Sequence, residues 1–222
     1  VAKTSRTLLL EIPAVEIPAV TVENALPDTL INKVKDEALQ NRLREIRENP
    51  ATIDDHIASG WLKGYTALHM AAAWTDEHEV LLGLLAAGAN KDLKNNDGET
   101  PLHIAVKEGN QEVVDALIKK GADKNQGNFL GETPLHIAVK EGNQAIVDAL
   151  IKEGANVNQQ NFLGETPLHI AVKEGNQAIV DALIKEGANV NQQNVLGETP
   201  LHIAVYYSHQ AIVEALKREK AV

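Results

Sequence analysis

The sequence has no cysteine. Disulfides and thiolate metal sites are therefore excluded, and the redox state of the compartment stays open. Aromatic residues make up only 3% of a chain that is 44% hydrophobic. Ala, Val, Leu and Ile must do the packing, and these suit closely spaced helices better than a core filled by large rings. Positive charge is short as well. Lys and Arg number 21 against 31 Asp and Glu, for a formal net charge of −10. With no basic stripe in view, the balance argues against nucleic acid and anionic membranes as partners. No apolar run approaches the ~18 residues that a membrane-spanning helix needs. Lys3 and Arg6 precede a short apolar run, but Glu11 interrupts it well short of a secretory signal. Val at position 1, rather than Met, leaves open an excised fragment or a processed product. The reading is a soluble, intracellular, cytoplasmic chain.

What the sequence has in abundance is itself. "GETPLHIAVKEGN" occurs at 98–110, 131–143 and 164–176, and a fourth copy at 197 turns into "GETPLHIAVYYSH". The glycines opening each unit are Gly64, Gly98, Gly131, Gly164 and Gly197, spaced by 34 and then three times by 33 residues. Units 131–163 and 164–196 differ at one position, Phe162 against Val195. A fixed period of this kind is the mark of a repeat architecture.

One unit is readable residue by residue. Thr133 is an N-cap with Pro134 at the first helical position, where a missing N–H costs nothing. Leu135, Ile137, Ala138 and Val139 carry a short helix, and Gly142 supplies a left-handed stop. Asn143 caps a second helix whose apolar face holds Ile146, Val147, Leu150 and Ile151, and Gly154 ends it. "ANVNQQNFLG" then reads as an extended turn. Two helices and a turn cannot bury their own apolar faces, so neighbouring units must stack.

These features resemble the ankyrin repeat, with its G-x-TPLH-x-A signature and ~33-residue period. The match runs from Gly64 to about Arg218. The resemblance implies an all-α solenoid of stacked helix-turn-helix units with β-turn fingers projecting from one edge. The expected layout is an extended, Pro-containing arm at 1–27, carrying "EIPAVEIPAV", and an N-terminal helical cap at 28–63. That cap is read as one helix from Asp28 to about Glu48, ended by Pro50, and a loop containing Trp61. A degenerate repeat follows at 64–97, with Ala67 in place of the motif proline. Full repeats occupy 98–130, 131–163 and 164–196. The C-terminal capping repeat at 197–222 has Lys217 where Ile151 and Ile184 stand earlier, as a solvent-facing last unit requires.

His103, His136, His169 and His202 recur in the motif, and His69 occupies the same place in the degenerate unit. A metal ladder fails on distance. Packed helices lie ~8–10 Å apart, while zinc–nitrogen bonds are ~2.0–2.1 Å. The resemblance implies instead that this histidine ties the turn to neighbouring backbone. His56, His78 and His209 read as isolated and exposed. Glu99, Glu132, Glu165 and Glu198 read as a solvated acidic row, because their equivalence singles out none as an acid or base. With no nucleophile elbow and no phosphate loop, the chain is not read as an enzyme, and no cofactor or metal is expected.

By resemblance, partner contacts come from the finger tips and the exposed face of the first helices. The tips are Phe129–Leu130, Phe162–Leu163 and Val195–Leu196, flanked by Glu132 and Glu165, with Asn96–Asp97 in the earliest finger. The two phenylalanines either form an apolar ladder or fold back over the adjacent turn. Along the inner face run Lys107–Glu108, Lys140–Glu141 and Lys173–Glu174; Tyr206–Tyr207 replace that pair in the last unit, and Trp74 stands near it in the first. The leading expectation is a monomeric, non-catalytic scaffold that binds a protein partner. The alternative is the targeting module of a larger enzyme, or of a secreted bacterial effector acting on host proteins. "LIKEGANVN" ending at Asn158 and Asn191 also looks like the family's asparagine-hydroxylation context, apart from Asn156 and Asn189 in place of its acidic residue.

Overall fold

The computed structural model describes residues 21–58, 62–74 and 78–220. Most of the Pro-containing arm, and Trp61, lie outside the described residues. Thirteen α-helices and no strand occur among the described residues. The first three are α1 (Val22–Ala25), α2 (Asp28–Ile31) and α3 (Glu37–Glu48). Five helix pairs follow: α4 (Ala67–Ala73) with α5 (His78–Ala86), α6 (Pro101–Lys107) with α7 (Gln111–Lys119), and α8 (Pro134–Lys140) with α9 (Gln144–Lys152). The last two pairs are α10 (Pro167–Lys173) with α11 (Gln177–Lys185), and α12 (Pro200–Tyr206) with α13 (Gln210–Lys220).

The caps are those that the sequence specifies. Thr133 Oγ1 accepts from the His136 N–H, and Pro134 opens α8. Gly142 then takes φ +69°, which lets the Asn143 N–H turn back to the Ala138 carbonyl at 3.1 Å. Asn143 Oδ1 accepts from the Ile146 N–H at 3.2 Å and starts α9. Because each first helix is so short, it depends on burial on both sides. Leu135, Ala138 and Val139 are fully buried, and each large aliphatic buried in this way contributes about 1.5–3 kcal/mol.

Stacking is sequential. The first helices α4, α6, α8, α10 and α12 form an inner row, each packed on the next, and α5, α7, α9, α11 and α13 form the outer row. A third line of support lies along the edge, where side chains relay from unit to unit. Asp54 accepts from the Asn90 N–H, and Asp92 from the Asp123 N–H, each at 2.8 Å. Asn125 accepts from the Asn156 N–H at 2.8 Å, and Asn158 from the Asn189 N–H at 2.7 Å. This gives "ANVNQQN" its work: the asparagines fix the turns and also join neighbours. Asn158 is engaged at both ends of its amide, since its Nδ2 donates to the Gly187 carbonyl at 3.0 Å.

Two readings of the N-terminal region are corrected. There is no single helix from Asp28 to Glu48. The chain leaves α2 after Ile31, and α3 starts afresh where Asp36 Oδ1 accepts from the Leu39 N–H at 2.8 Å. Gln40 holds the break by donating to the Ile31 carbonyl at 3.2 Å. Nor is the segment up to residue 27 extended throughout, because Thr21 caps the helical turn α1 and Leu26 is fully buried. Leu39, Leu43 and Ile46 of α3 cover the start of the stack by packing on α4.

Candidate functional site

In the first four units the motif histidine, His69, His103, His136 or His169, is buried and committed at both ring nitrogens; His202 of the last unit is exposed. In the unit at 131, His136 Nδ1 accepts from the Thr133 N–H at 3.1 Å, and Nε2 lies 3.1 Å from the Glu165 carbonyl of the next unit. A carbonyl only accepts, so Nε2 carries the proton. The same bridge runs from His69 to Glu99 O at 3.0 Å, from His103 to Glu132 O at 3.0 Å, and from His169 to Glu198 O at 3.2 Å. Burial pushes the pKa of His69 and His103 down to about 4, against the raising effect of these carbonyls. It lowers His136 and His169 as well. These rings are ties between units, with no lone pair free to coordinate or to take a proton from a substrate.

The acidic row is not solvated. Glu99 is only 7% exposed, and Glu132, Glu165 and Glu198 are half-buried. Each carboxylate accepts from the asparagine that closes its own finger: Asn95, Asn128, Asn161 and Asn194, at 3.0–3.2 Å. Those asparagines accept in turn from the backbone of the finger, so the Asn–Glu pair is the finger's internal brace. Lys107 Nζ lies 3.6 Å from Glu99 Oε1, and that carboxylate raises the lysine pKa. His78 and His209 are also less open than expected. Both are half-buried, and the His209 ring stacks on Tyr207 with centroids 6.0 Å apart.

At the finger tips exposure and packing coexist. Phe129, Leu130, Phe162, Leu163, Val195 and Leu196 are all exposed, yet each finger is seated on the one before it. The Phe162 N–H donates to the Leu130 carbonyl, and the Val195 N–H to the Leu163 carbonyl, both at 2.9 Å. Gly131, at φ +75°, makes the seat: a Cβ there would lie 2.9 Å from Phe162 N and 2.8 Å from its ring. Gly131→Ala is therefore expected to cost more than about 2 kcal/mol, from backbone strain and a displaced finger together. Gly154→Ala meets only the strain of its own φ of +83°, with nothing within 4 Å, and should cost about 1 kcal/mol. Urea unfolding followed by circular dichroism compares the two; equal losses would show that Phe162 is not seated on Gly131.

Two cavities lie between the fingers and the inner helices. One, between the units at 98 and 131, has a volume of about 420 Å³ and is lined by Phe129, Leu130, Ile137 and the Lys140–Glu141 pair. The other, in the last unit, has a volume of about 300 Å³ and is lined by Val195, Leu196, Ile203, Tyr206 and Tyr207. Tyr206 is 81% exposed, and its ring meets that of Tyr207 edge-to-face at 5.1 Å. Val205, which the sequence reading did not single out, is 59% exposed, although its equivalents Val106, Val139 and Val172 are fully buried. The signal was its place in the fourth copy of the motif, beyond which no further inner helix occurs among the described residues. Trp74 sits apart from this row. It is half-buried against the core at the end of α4.

A family model described as ankyrin repeats (3 copies) matches residues 68–161 and again 135–222, together well over half of the chain. The chain belongs to the ankyrin-repeat family. Repeats of this family are generally non-catalytic modules of protein–protein interaction. Two curated ankyrin-repeat proteins match over single short segments. One is the nuclear factor NF-kappa-B p110 subunit of Drosophila melanogaster, 51% identical over 45 residues, 20% of this chain and 4% of that protein. The other is protein glp-1 of Caenorhabditis elegans, 47% identical over 47 residues, 21% of this chain and 4% of that protein. Among the described residues, no ankyrin helix is long and apolar enough to cross a membrane. Nor do three or more His, Asp or Glu side chains among them come together as a metal site.

Proposed function

We propose that this ankyrin stack is a non-catalytic scaffold that holds a protein partner through its finger tips and the concave face of its inner helices. One observation carries the reading. The exposed large hydrophobic side chains among the described residues all fall on the tips, from Phe129 to Leu196, or at the end of α12. Scattered exposed leucines would need no explanation, but a contiguous apolar row marks an interaction surface. Glu132 and Glu165 support it from beneath by bracing the fingers. Trp74 stands at the far end as a second contact point for a partner long enough to span the stack. Tyrosine at Tyr206 and Tyr207 is the residue type that anchors interfaces, where loss of one such side chain costs about 2 kcal/mol or more.

The test is capture of a partner from a cell lysate by the intact chain and by a variant with Phe129, Phe162, Val195, Tyr206 and Tyr207 replaced by alanine. The variant should lose at least about 30-fold in captured partner and keep its helical circular dichroism. A control with Lys152 and Lys185 on the outer face changed to glutamate should capture normally. Equal capture by the alanine variant would remove the concave face from consideration. A second reading, that the stack is the targeting part of a larger protein, has one observation behind it. In both curated relatives the matched segment is 4% of the whole length.

A further inference from the structure

The two cavities between the fingers and the inner helices are one construction seen twice. Each residue lining the first has its counterpart, two units further along, lining the second. The floor is unchanged, Ile137 in one and Ile203 in the other. The walls are not. Asp97, Phe129, Lys140 and Glu141 of the first become Leu163, Val195, Tyr206 and Tyr207 in the second.

This exchange gives the concave face a polarity. The first cavity gathers four carboxylates, Asp97, Glu99, Glu132 and Glu141, against two ammonium groups, and Lys107 is already engaged with Glu99. Its surplus is negative, and Asp97 and Glu141 are exposed. The second cavity keeps only Glu165, Glu198 and Lys173 as charged groups, and its rim is aliphatic and phenolic. One cavity favours a cation and the other an apolar group.

The spacing comes from the stack. Adjacent inner helices pack about 8–10 Å apart, so two units separate the cavities by about 16–20 Å. An extended chain advances about 3.3 Å per residue and covers that distance in about five or six residues. Cavities of about 300 and 420 Å³ suit one or two side chains each.

We propose that the partner segment is an extended peptide with a basic side chain and, about five or six residues away, an aliphatic or aromatic one. The basic group enters the cavity at Asp97 and Glu141; the apolar group enters the cavity closed by Tyr206 and Tyr207. The inference rests on the concave-face reading, to which it adds a charge, a spacing and an order along the stack.

A displayed library of random peptides of about twelve residues, long enough to span both cavities, tests it. The library is selected on the intact chain and counter-selected on a Tyr206→Ser, Tyr207→Ser double variant. Enriched peptides are then resynthesised with a dye and measured by fluorescence anisotropy. They should carry Arg or Lys at the stated separation from Leu, Ile, Phe or Trp. Shortening or lengthening the spacer by about three residues, one repeat's worth of extended chain, should weaken binding about tenfold. Asp97→Asn with Glu141→Gln should weaken it too and flatten its dependence on salt. Peptides that need the tyrosines but show no fixed separation would overturn this inference and leave the concave-face reading standing. Peptides that ignore both sets of substitutions, or no enrichment at all, would overturn both.

Discussion

Replacing His136 with alanine is expected to cost about 3–5 kcal/mol, while the same change at His202 should cost less than about 1 kcal/mol. The two residues occupy the same motif position, but among the described residues only His136 has a further repeat stacked against it. His136 is fully buried between units; its loss strands the Glu165 carbonyl and the Thr133 N–H and leaves a hole the size of the ring. Each stranded buried group costs about 1–3 kcal/mol, and the cavity adds to that. His202 keeps the local contact, with the Thr199 N–H 3.1 Å from its Nδ1. It is exposed, and no later unit among the described residues offers a carbonyl to its Nε2. Urea unfolding monitored by circular dichroism would measure both losses. Equal losses would mean that the histidine acts only as a cap within its own unit, and that the bridge between units carries little.

The difference between the two histidines separates what local sequence specifies from what only contacts between units decide. The period, the Thr–Pro start, the glycine stops and the asparagine cap are local chemistry, so the helix pairs and their stacking were visible in the residues. Repetition made them plainer still. Contacts between units are not local, and there the reading fell short. Glu99 belongs to a string of equivalent glutamates that looks like a solvated row. Only the folded finger shows Asn95 reaching its carboxylate and Lys107 approaching from the inner helix. The asparagine relay from Asp54 onwards was invisible for the same reason, since its partners are a whole unit apart in sequence. The N-terminal cap misled differently. Its apolar spacing suits one long helix, and the break depends on Asp36 and Gln40 satisfying backbone groups that continuous helix would otherwise bond. At the candidate site the tips were legible as a recurring Phe–Leu pair that becomes Val195–Leu196, and Tyr206 and Tyr207 as a substitution within the motif. Val205 was missed because nothing in its own identity departs from the motif; it is exposed because no further inner helix among the described residues covers it.

Acid should destabilise the stack from about pH 6.5 downwards, and the buried histidines set the window. In the folded chain the pKa of His69 and His103 is lowered from 6.5 to about 4, chiefly by burial. On unfolding, each ring returns to the ordinary value and takes up a proton. A depressed folded pKa means stability that is full above the unfolded value, falls as the pH drops through about 6.5, and stops falling near 4. Within that window each of these two histidines removes close to 1.4 kcal/mol per pH unit, about 3 kcal/mol over the whole range. His136 and His169 act in the same direction. His69 and His103 together already reach the lower part of the stability of an ordinary domain, about 5–15 kcal/mol. The interval from about pH 6.5 to 5 lies inside that window. Urea midpoints measured across that interval should fall steadily, and the fall should be shallower in a His103→Gln variant, whose side chain takes up no proton on unfolding. A midpoint that stays flat from neutral pH to about 5 would mean that the rings open to solvent, and can protonate, without the units coming apart.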